Sequence, residues 1–191
     1  MKLIFASGNQ YKLQELQSKL NSSIEVLSMR DVGFAGDIDE PGETLEENAK
    51  IKAEYIHNLF HENCFADDSG IEINALNGEP GVYSARYAGE GCSFADNNEK
   101  VLEKLKGIED RTARFRTVIH LIYDNQHYVF EGEVKGKITM TNKGVDGFGY
   151  DPIFIPDGQI KTFAEMTLDE KNSISHRAKA VQKLSDFLLN R

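Results

Sequence analysis

The sequence predicts an α/β protein with a mixed sheet flanked by helices, and three observations carry that expectation. An apolar run at residues 2–6 stops at Ser7-Gly8, and Leu13, Leu16 and Leu20 then follow at helical spacing, which reads as strand, tight loop, helix. Two stretches rich in β-branched and aromatic residues, 112–124 and 127–140, flank Asp124-Asn125-Gln126; they read as a hairpin or an antiparallel pair in a larger sheet. Helical patterns also lie at about 43–60 and 175–189, the latter with Ala178, Val181, Leu184 and Leu188 on one stripe, and elements of both kinds along one chain pack as layers.

The second helix has Leu45, Ala49, Ala53, Ile56 and Phe60 on its apolar face, and Thr44 with Glu47 predicts a capping box at its start. Cys64-Phe65-Ala66 reads as a short strand ending at Asp67-Asp68-Ser69-Gly70, with a further strand through Ile71 and Ile73. Glycines 78, 81, 89 and 91 with Pro80 predict a loop-rich crossing, after which Ser93 and Asp96 open a helix to about 105. A glycine-rich turn, 144–149, leads into Tyr150-Asp151-Pro152. No repeat, low-complexity tract or polar linker divides residues 1–191, so a single domain is expected, at most in two lobes around a cleft.

With 191 residues, 40% of them apolar and 28% charged, the chain falls in the soluble globular range. Its formal charge of −9 argues against nucleic acid as a partner, because backbone binding needs a basic surface to displace counterions. A small phosphorylated ligand stays open, since a few local cations or a metal reverse the potential at one site. The first apolar run is too short for a signal segment, no stretch is long enough to span a membrane, and Cys64 and Cys92 read as reduced thiols. A cytoplasmic location without membrane contact is expected.

Five segments carry candidate chemistry. Ser7-Gly8-Asn9-Gln10-Tyr11-Lys12 joins a strand to a helix, where small residues, unpaired N–H groups and a lysine suit a phosphate; the same residues also suit a plain helix start. Asp67-Asp68 puts two carboxylates together, an arrangement that a shared cation or proton relieves, although a solvated acidic turn has the same composition. If the strand has turned there, one carboxylate can hold magnesium while the other orients or deprotonates water. Were it still a strand, the pair would point to opposite faces. Asp37, Asp39, Glu40 and Glu43 precede the helix carrying Lys50 and Lys52; they suit a second metal ligand or an acidic first turn, and spacing does not rank Glu40 above Glu43.

In Gly147-Phe148-Gly149-Tyr150-Asp151-Pro152 the glycines suit a turn that presents Phe148 or Tyr150 to a base, or one that packs a ring in the core. Lys171 and Ser175-His176-Arg177 supply donors for purine carbonyls or phosphate, or form an ordinary helix start. Five scattered histidines and two distant cysteines make no zinc spacing, and no serine sits on a nucleophile elbow.

Taken together and in order, these blocks resemble the inosine triphosphatase family, the house-cleaning purine nucleoside triphosphate pyrophosphatases. The resemblance rests on Ala6-Ser7-Gly8-Asn9 with Lys12 and Glu15; Glu47-Asn48-Ala49 with Lys52; Ala66-Asp67-Asp68-Ser69-Gly70; Pro80 to Tyr87; Gly147 to Pro152; and Lys171 with Ser175-His176-Arg177. Serine stands at position 7 where the family usually has threonine, which keeps the hydroxyl.

The resemblance implies an α/β sandwich with a central cleft, and magnesium-assisted hydrolysis of aberrant purine nucleoside triphosphates (ITP, dITP, XTP) to the monophosphate and pyrophosphate, with water attacking the α-phosphorus. It implies that Ser7, Gly8, Asn9, Gln10, Tyr11, Lys12 and Lys52 hold the triphosphate, that Glu40 and Asp68 hold Mg2+, and that Asp68 is the proton acceptor. Ser69, Phe148, Gly149, Tyr150, Asp151, Lys171, His176 and Arg177 would contact the nucleotide, and a homodimer is expected. The alternatives are a nucleotide-binding module without hydrolysis, against which the paired aspartates weigh, and a pyrophosphatase for ordinary or pyrimidine nucleotides.

Overall fold

The computed structural model describes residues 1–20 and 23–191. Strands β1 (Lys2–Phe5), β2 (Glu25–Ser28), β3 (Cys64–Ile73), β4 (Thr112–Tyr123), β5 (Gln126–Ile138) and β6 (Phe154–Pro156) form one sheet in the order β2-β1-β3-β4-β5-β6. The helices are α1 (Gln10–Gln17), α2 (Leu45–Phe60), α3 (Phe94–Lys104), α4 (Leu168–Ile174) and α5 (His176–Leu189). β1 runs parallel to β2 and β3 while β5 and β6 are antiparallel, so the sheet is mixed, as the sequence predicts.

The chain divides into two compact units, the first comprising Met1–Asp68, Thr117–Gly132 and Arg177–Arg191, the second Ser69–Arg116 and Glu133–His176. In the first unit the period-two alternation of strand side chains decides what packs where. Leu3, Phe5 and Phe65 turn to one face, with Ile119 and Leu121, and bury Leu16 of α1 and Ala180, Val181 and Leu184 of α5. Ile4, Ala6, Cys64 and Ala66 turn to the other face, against Ala53 and Ile56 of α2. Helices on both faces explain why residues 64–68 are buried without a break. The second unit has its own core, in which Ile71, Ile73, Val101, Leu105, Phe115, Phe154 and Phe163 meet.

Three expectations change. β3 does not end at the aspartates but runs unbroken through Asp67-Asp68-Ser69-Gly70. Gly70 is not a turn residue: a Cβ there would collide with the Gly81 carbonyl, so the glycine serves a close backbone approach. Ser84 clamps that approach, its hydroxyl donating to Gly81 O at 2.6 Å and accepting from Ile71 N at 3.0 Å. At α2, Thr44 Oγ1 accepts from Glu47 N at 3.1 Å, but the Glu47 carboxylate accepts from Glu43 N, one residue before the cap, so only half of the box forms as expected. α4 was not foreseen; Thr167 and Glu170 cap it reciprocally.

The β4–β5 link is tighter than the sequence suggests. Asp124 and Asn125 have φ of 49° and 58°, the left-handed pair that a type I′ turn requires, and Gln126 already belongs to β5. Beyond this turn His120 Nε2 lies 2.9 Å from His127 Nδ1. Burial first and then His127 bring His120 down to about 4, against an opposing pull from Glu54, with Lys50 adding the least. A histidine held below its unfolded value of about 6.5 is neutral in the fold while the unfolded chain takes up the proton. Stability is therefore whole above about pH 6.5 and falls as the pH drops toward 4. We expect His120→Gln, which does not titrate, to lose less of its thermal midpoint than the wild type between pH 7 and pH 5. Equal losses in the two proteins would contradict this account.

Candidate functional site

The alternation that builds the first unit's core also distributes its charges. Asp67 shares a face of β3 with Phe65 and is 1% exposed; Asp68 shares the other with Ala66 and is 8% exposed. The aspartates do point to opposite faces, and each meets its own cations.

On the first face α1 presents Lys12, whose Nζ lies 3.1 Å from Asp67 Oδ1. The first turn of α5 presents Arg177, whose Nε donates to Asp67 Oδ2 at 3.2 Å and whose Nη1 donates to Glu15 of α1. On the second face Lys52 of α2 donates to Glu40 Oε2 at 2.7 Å and lies 3.7 Å from Asp68 Oδ1. Asn48, one turn before Lys52, accepts from Gly42 N at 2.7 Å and so ties down the segment that carries Glu40. Of the acidic cluster that spacing left open, Glu40 is the carboxylate that meets Lys52.

These contacts separate the two aspartates electrically. Burial opposes the charge on Asp67, but Lys12, Arg177 and Lys52 outweigh it and hold the carboxyl well below the ordinary range. Asp68 moves the other way: burial raises it, Lys52 and Lys12 offset only part, and Glu40 and Asp67 add to the rise. Lys52 is buried yet raised, because Asp68, Glu40 and Asp67 more than cancel its desolvation. Lys12 is lowered, chiefly by burial, with Lys52 and Arg177 adding to it against Asp67. Neighbouring carboxyls with affinities pushed apart suit two roles, a permanent anion and a group able to take a proton.

At the start of α1 the expected row of unpaired N–H groups is only partly there. Asn9 caps the helix, its Oδ1 accepting from Tyr11 N at 3.0 Å and Lys12 N at 3.2 Å. Asn9 N in turn donates to Ser7 Oγ at 3.3 Å. A Cβ on Gly8 would meet only Met29 Cε at 3.7 Å, so no protein atom requires a glycine there. Gln10 and Tyr11 are exposed.

As a cation site, the first unit offers hard oxygen donors, Glu40 and Asp68, drawn to one ammonium. Among the described residues no three His, Cys, Asp or Glu side chains form a ready cage. That donor set fits magnesium, which binds proteins through one or two carboxylates and completes its shell with water and substrate phosphate.

The second unit holds the remaining candidates. In the Gly147–Asp151 turn, Asp151 Oδ2 accepts from Phe148 N at 2.9 Å and from Lys171 Nζ at 2.5 Å. Lys171 Nζ also lies 4.8 Å from the centre of the Phe148 ring. A Cβ on Gly147, whose φ is 76°, would strike the Asp151 carboxylate. Phe148 is half-buried, whereas Tyr150 is a core ring whose hydroxyl donates to Ser84 O at 2.7 Å. Of the two rings considered for stacking, Phe148 is the one that is not fully buried. Ser69 and Gly149 are partly exposed, and His176 is buried with its ring stacked on Phe115 at 4.6 Å.

The expected base-reading donors therefore divide. Lys171 sits with Phe148, while Arg177 is held by Glu15 and Asp67. Sequence reasoning missed the part played by Glu15, although a glutamate one turn after Lys12 and beside the apolar Leu16 was a signal. Asn98 was missed too; it donates to Gly149 O from α3, on the face shared with Val101 and Leu105.

The fold is that of the inosine triphosphatase type of α/β protein, with buried lysine–carboxylate pairs along its central strand β3. The chain belongs to the Ham1 family, whose profile matches residues 3–187. It is 52% identical over 188 residues to a dITP/XTP pyrophosphatase of Flavobacterium johnsoniae, covering 98% of each chain. The Staphylococcus aureus Ham1 protein superposes with a TM-score of 0.90 at 41% identity, over 100% of this chain and 99% of that one. A HAM1 protein from Coxiella burnetii gives 0.92 at 38% identity over the whole of both chains. The family that the ordered motifs suggest is the one found.

Because Asp67 is buried between Lys12 and Arg177, Asp67→Asn strands cations in a dry place. Breaking such a pair typically costs about 3 kcal/mol or more, and we expect a loss of that order in urea denaturation. A loss under about 1 kcal/mol, the scale of an exposed pair, would show that the network does not stabilise the fold.

Proposed function

We propose that the chain hydrolyses aberrant purine nucleoside triphosphates, ITP, dITP and XTP, to the monophosphate and pyrophosphate, and so cleanses the nucleotide pool. One observation carries the reading: adjacent aspartates on β3 with proton affinities shifted in opposite directions, set among the partly buried Lys12 and the buried Lys52 and Arg177. The near-full-length likeness to dITP/XTP pyrophosphatases supports the substrate class.

In this reading Lys12, Lys52 and the Ser7–Lys12 segment bind the triphosphate, and at Gly8 the missing side chain leaves room for phosphate oxygens. Glu40 and Asp68 hold Mg2+, which when bound polarises phosphate oxygens and neutralises their charge. Asp68 takes the proton of the water that attacks the α-phosphorus. Asp67 stays ionised and fixes Lys12 and Arg177. As the bond to the β-phosphate breaks, the lysine ammoniums take up the charge developing on pyrophosphate.

The base is assigned to the second unit, stacked on Phe148 with Ser69, Gly149, Tyr150, Asp151, Lys171 and His176 around the nucleotide. A donor such as Lys171 Nζ suits the O6 of hypoxanthine or xanthine and opposes the amino group of adenine, a mismatch that a buried site punishes. Arg177, held by Asp67 and Glu15, completes the contacts to the nucleotide. Family likeness supports a cytoplasmic homodimer; among the described residues no helix is long and apolar enough to cross a membrane.

With magnesium we expect pyrophosphate, not orthophosphate, to be released from ITP and XTP far faster than from ATP or GTP. Equal rates on all four would sink the house-cleaning reading. Asp68→Asn should lower turnover by roughly 100- to 10,000-fold, the usual range for a lost general base. Its midpoint should hardly move, because a carboxyl whose charge burial already disfavours is easily replaced by an amide. Wild-type turnover in that variant would remove Asp68 from the chemistry.

A further inference from the structure

We infer that Asn98 is a positioning residue for the aromatic platform of the second unit, holding the Phe148–Gly149 turn where a purine base stacks. The inference rests on the assignment of the base to Phe148 made above, and it adds a residue outside every motif that suggested the activity.

Asn98 lies in α3 and is 3% exposed. Its Nδ2 donates to Gly149 O at 3.1 Å. A carbonyl only accepts, so this bond fixes which end of the amide faces the turn. Phe94, four residues earlier and therefore on the same face of the helix, brings its ring to 6.1 Å from that of Phe148. α3 thus touches the turn at two successive residues, once through a ring and once through a hydrogen bond. From within the turn, Asp151 takes the Phe148 N–H at 2.9 Å. The backbone on both sides of the Phe148–Gly149 peptide is tethered, and Gly149 itself has a left-handed φ of 62°.

The neighbouring asparagine shows what a purely structural amide looks like in this helix. Asn97 uses both ends, donating to Ala85 O at 3.2 Å and accepting from Ala88 N at 2.7 Å. Asn98 does not: its Oδ1 is buried with no hydrogen-bond partner among the described residues. A buried acceptor without a donor is unfavourable, and an apolar side chain of similar size would avoid the loss. The bond to Gly149 is thus what the asparagine supplies that an apolar residue of its size would not, at some expense to stability, a trade common where a site is held in place for function.

The test uses the full chain with magnesium, the variants Asn98→Leu and Asn98→Ala, and three readouts: thermal midpoint, steady-state kinetics on ITP, and inhibition by inorganic tripolyphosphate, which carries no base. Asn98→Leu should melt at or above the wild-type temperature. Both variants should raise KM for ITP about tenfold with kcat within about threefold, the pattern of lost binding that is uniform between ground and transition states. Inhibition by tripolyphosphate should be unchanged. A lower midpoint with unchanged KM in Asn98→Leu makes Asn98 structural and overturns the inference, as does weaker tripolyphosphate inhibition in parallel with KM. If Asn98→Leu does not fold, wild-type KM in Asn98→Ala overturns it alone. A wild type that releases no pyrophosphate from ITP overturns the functional reading and this inference with it.

Discussion

A carboxylate that must remain charged inside the protein needs cations from more than one direction, and Asp67 draws them from two helices. Lys12 comes from α1 and Arg177 from the first turn of α5, and Glu15 of α1 returns to Arg177. The two helices are thereby keyed to each other and to β3 at a charged point, while Leu16, Ala180, Val181 and Leu184 close the apolar contact beside it. Apolar packing supplies the greater part of the burial, but it tolerates small slips. A carboxylate whose two oxygens are bound by different helices does not. The register of α1 and α5 on the sheet follows from this contact, and with it the position of the loop from Ser7 to Lys12.

The same strand makes the second aspartate different. One residue further along β3 the side chain faces α2, where Lys52 is shared between Asp68 and Glu40. A single ammonium divided between two carboxylates satisfies neither fully, and burial and the neighbouring negative charges then raise Asp68 while Asp67 is lowered. No special residue type is needed for this division. It follows from the period of a β-strand and from having helices on both faces.

That division was half legible in the sequence. The adjacent aspartates, the lysine at 12 and the lysine at 52 were visible as residues, and the requirement that strand neighbours point apart was visible as a rule. Gly70, however, looks like punctuation to any local reading, and only the closeness of the Gly81 carbonyl reveals why a glycine stands inside a strand. The ranking of Glu40 over Glu43 depends on Asn48 binding Gly42 N, a contact six residues apart with no periodic signature. Arg177 presented a similar difficulty: adjacency to His176 suggested a shared task, whereas its partners lie 162 and 110 residues away in Glu15 and Asp67. The hairpin, strands β1, β4 and β5 and helices α1, α2, α3 and α5 were recovered because their signals are local, whereas the short β2 and β6 were not read. Most of what escaped was set by contacts between distant segments; the short α4, which places Lys171 beside Asp151, escaped although the capping box of Thr167 and Glu170 at its start is local.

The balance of charge in the first unit bears on why a metal and a triphosphate would need each other. Glu15, Glu40, Asp67 and Asp68 face Lys12, Lys52 and Arg177, so in formal terms the cluster carries one more negative charge than positive. An anionic ligand alone meets a site that is already negative, and its oxygens must compete with carboxylates for both lysines. A divalent cation held by Glu40 and Asp68 would reverse the sign of the cluster and weaken their claim on Lys52, leaving that ammonium for phosphate oxygens. On the proposed reading, then, each partner raises the affinity of the other by an equal factor, as linkage demands. On that reading the acidic surplus would work as selectivity, because a phosphate without its cation would have to displace carboxylates from the lysines.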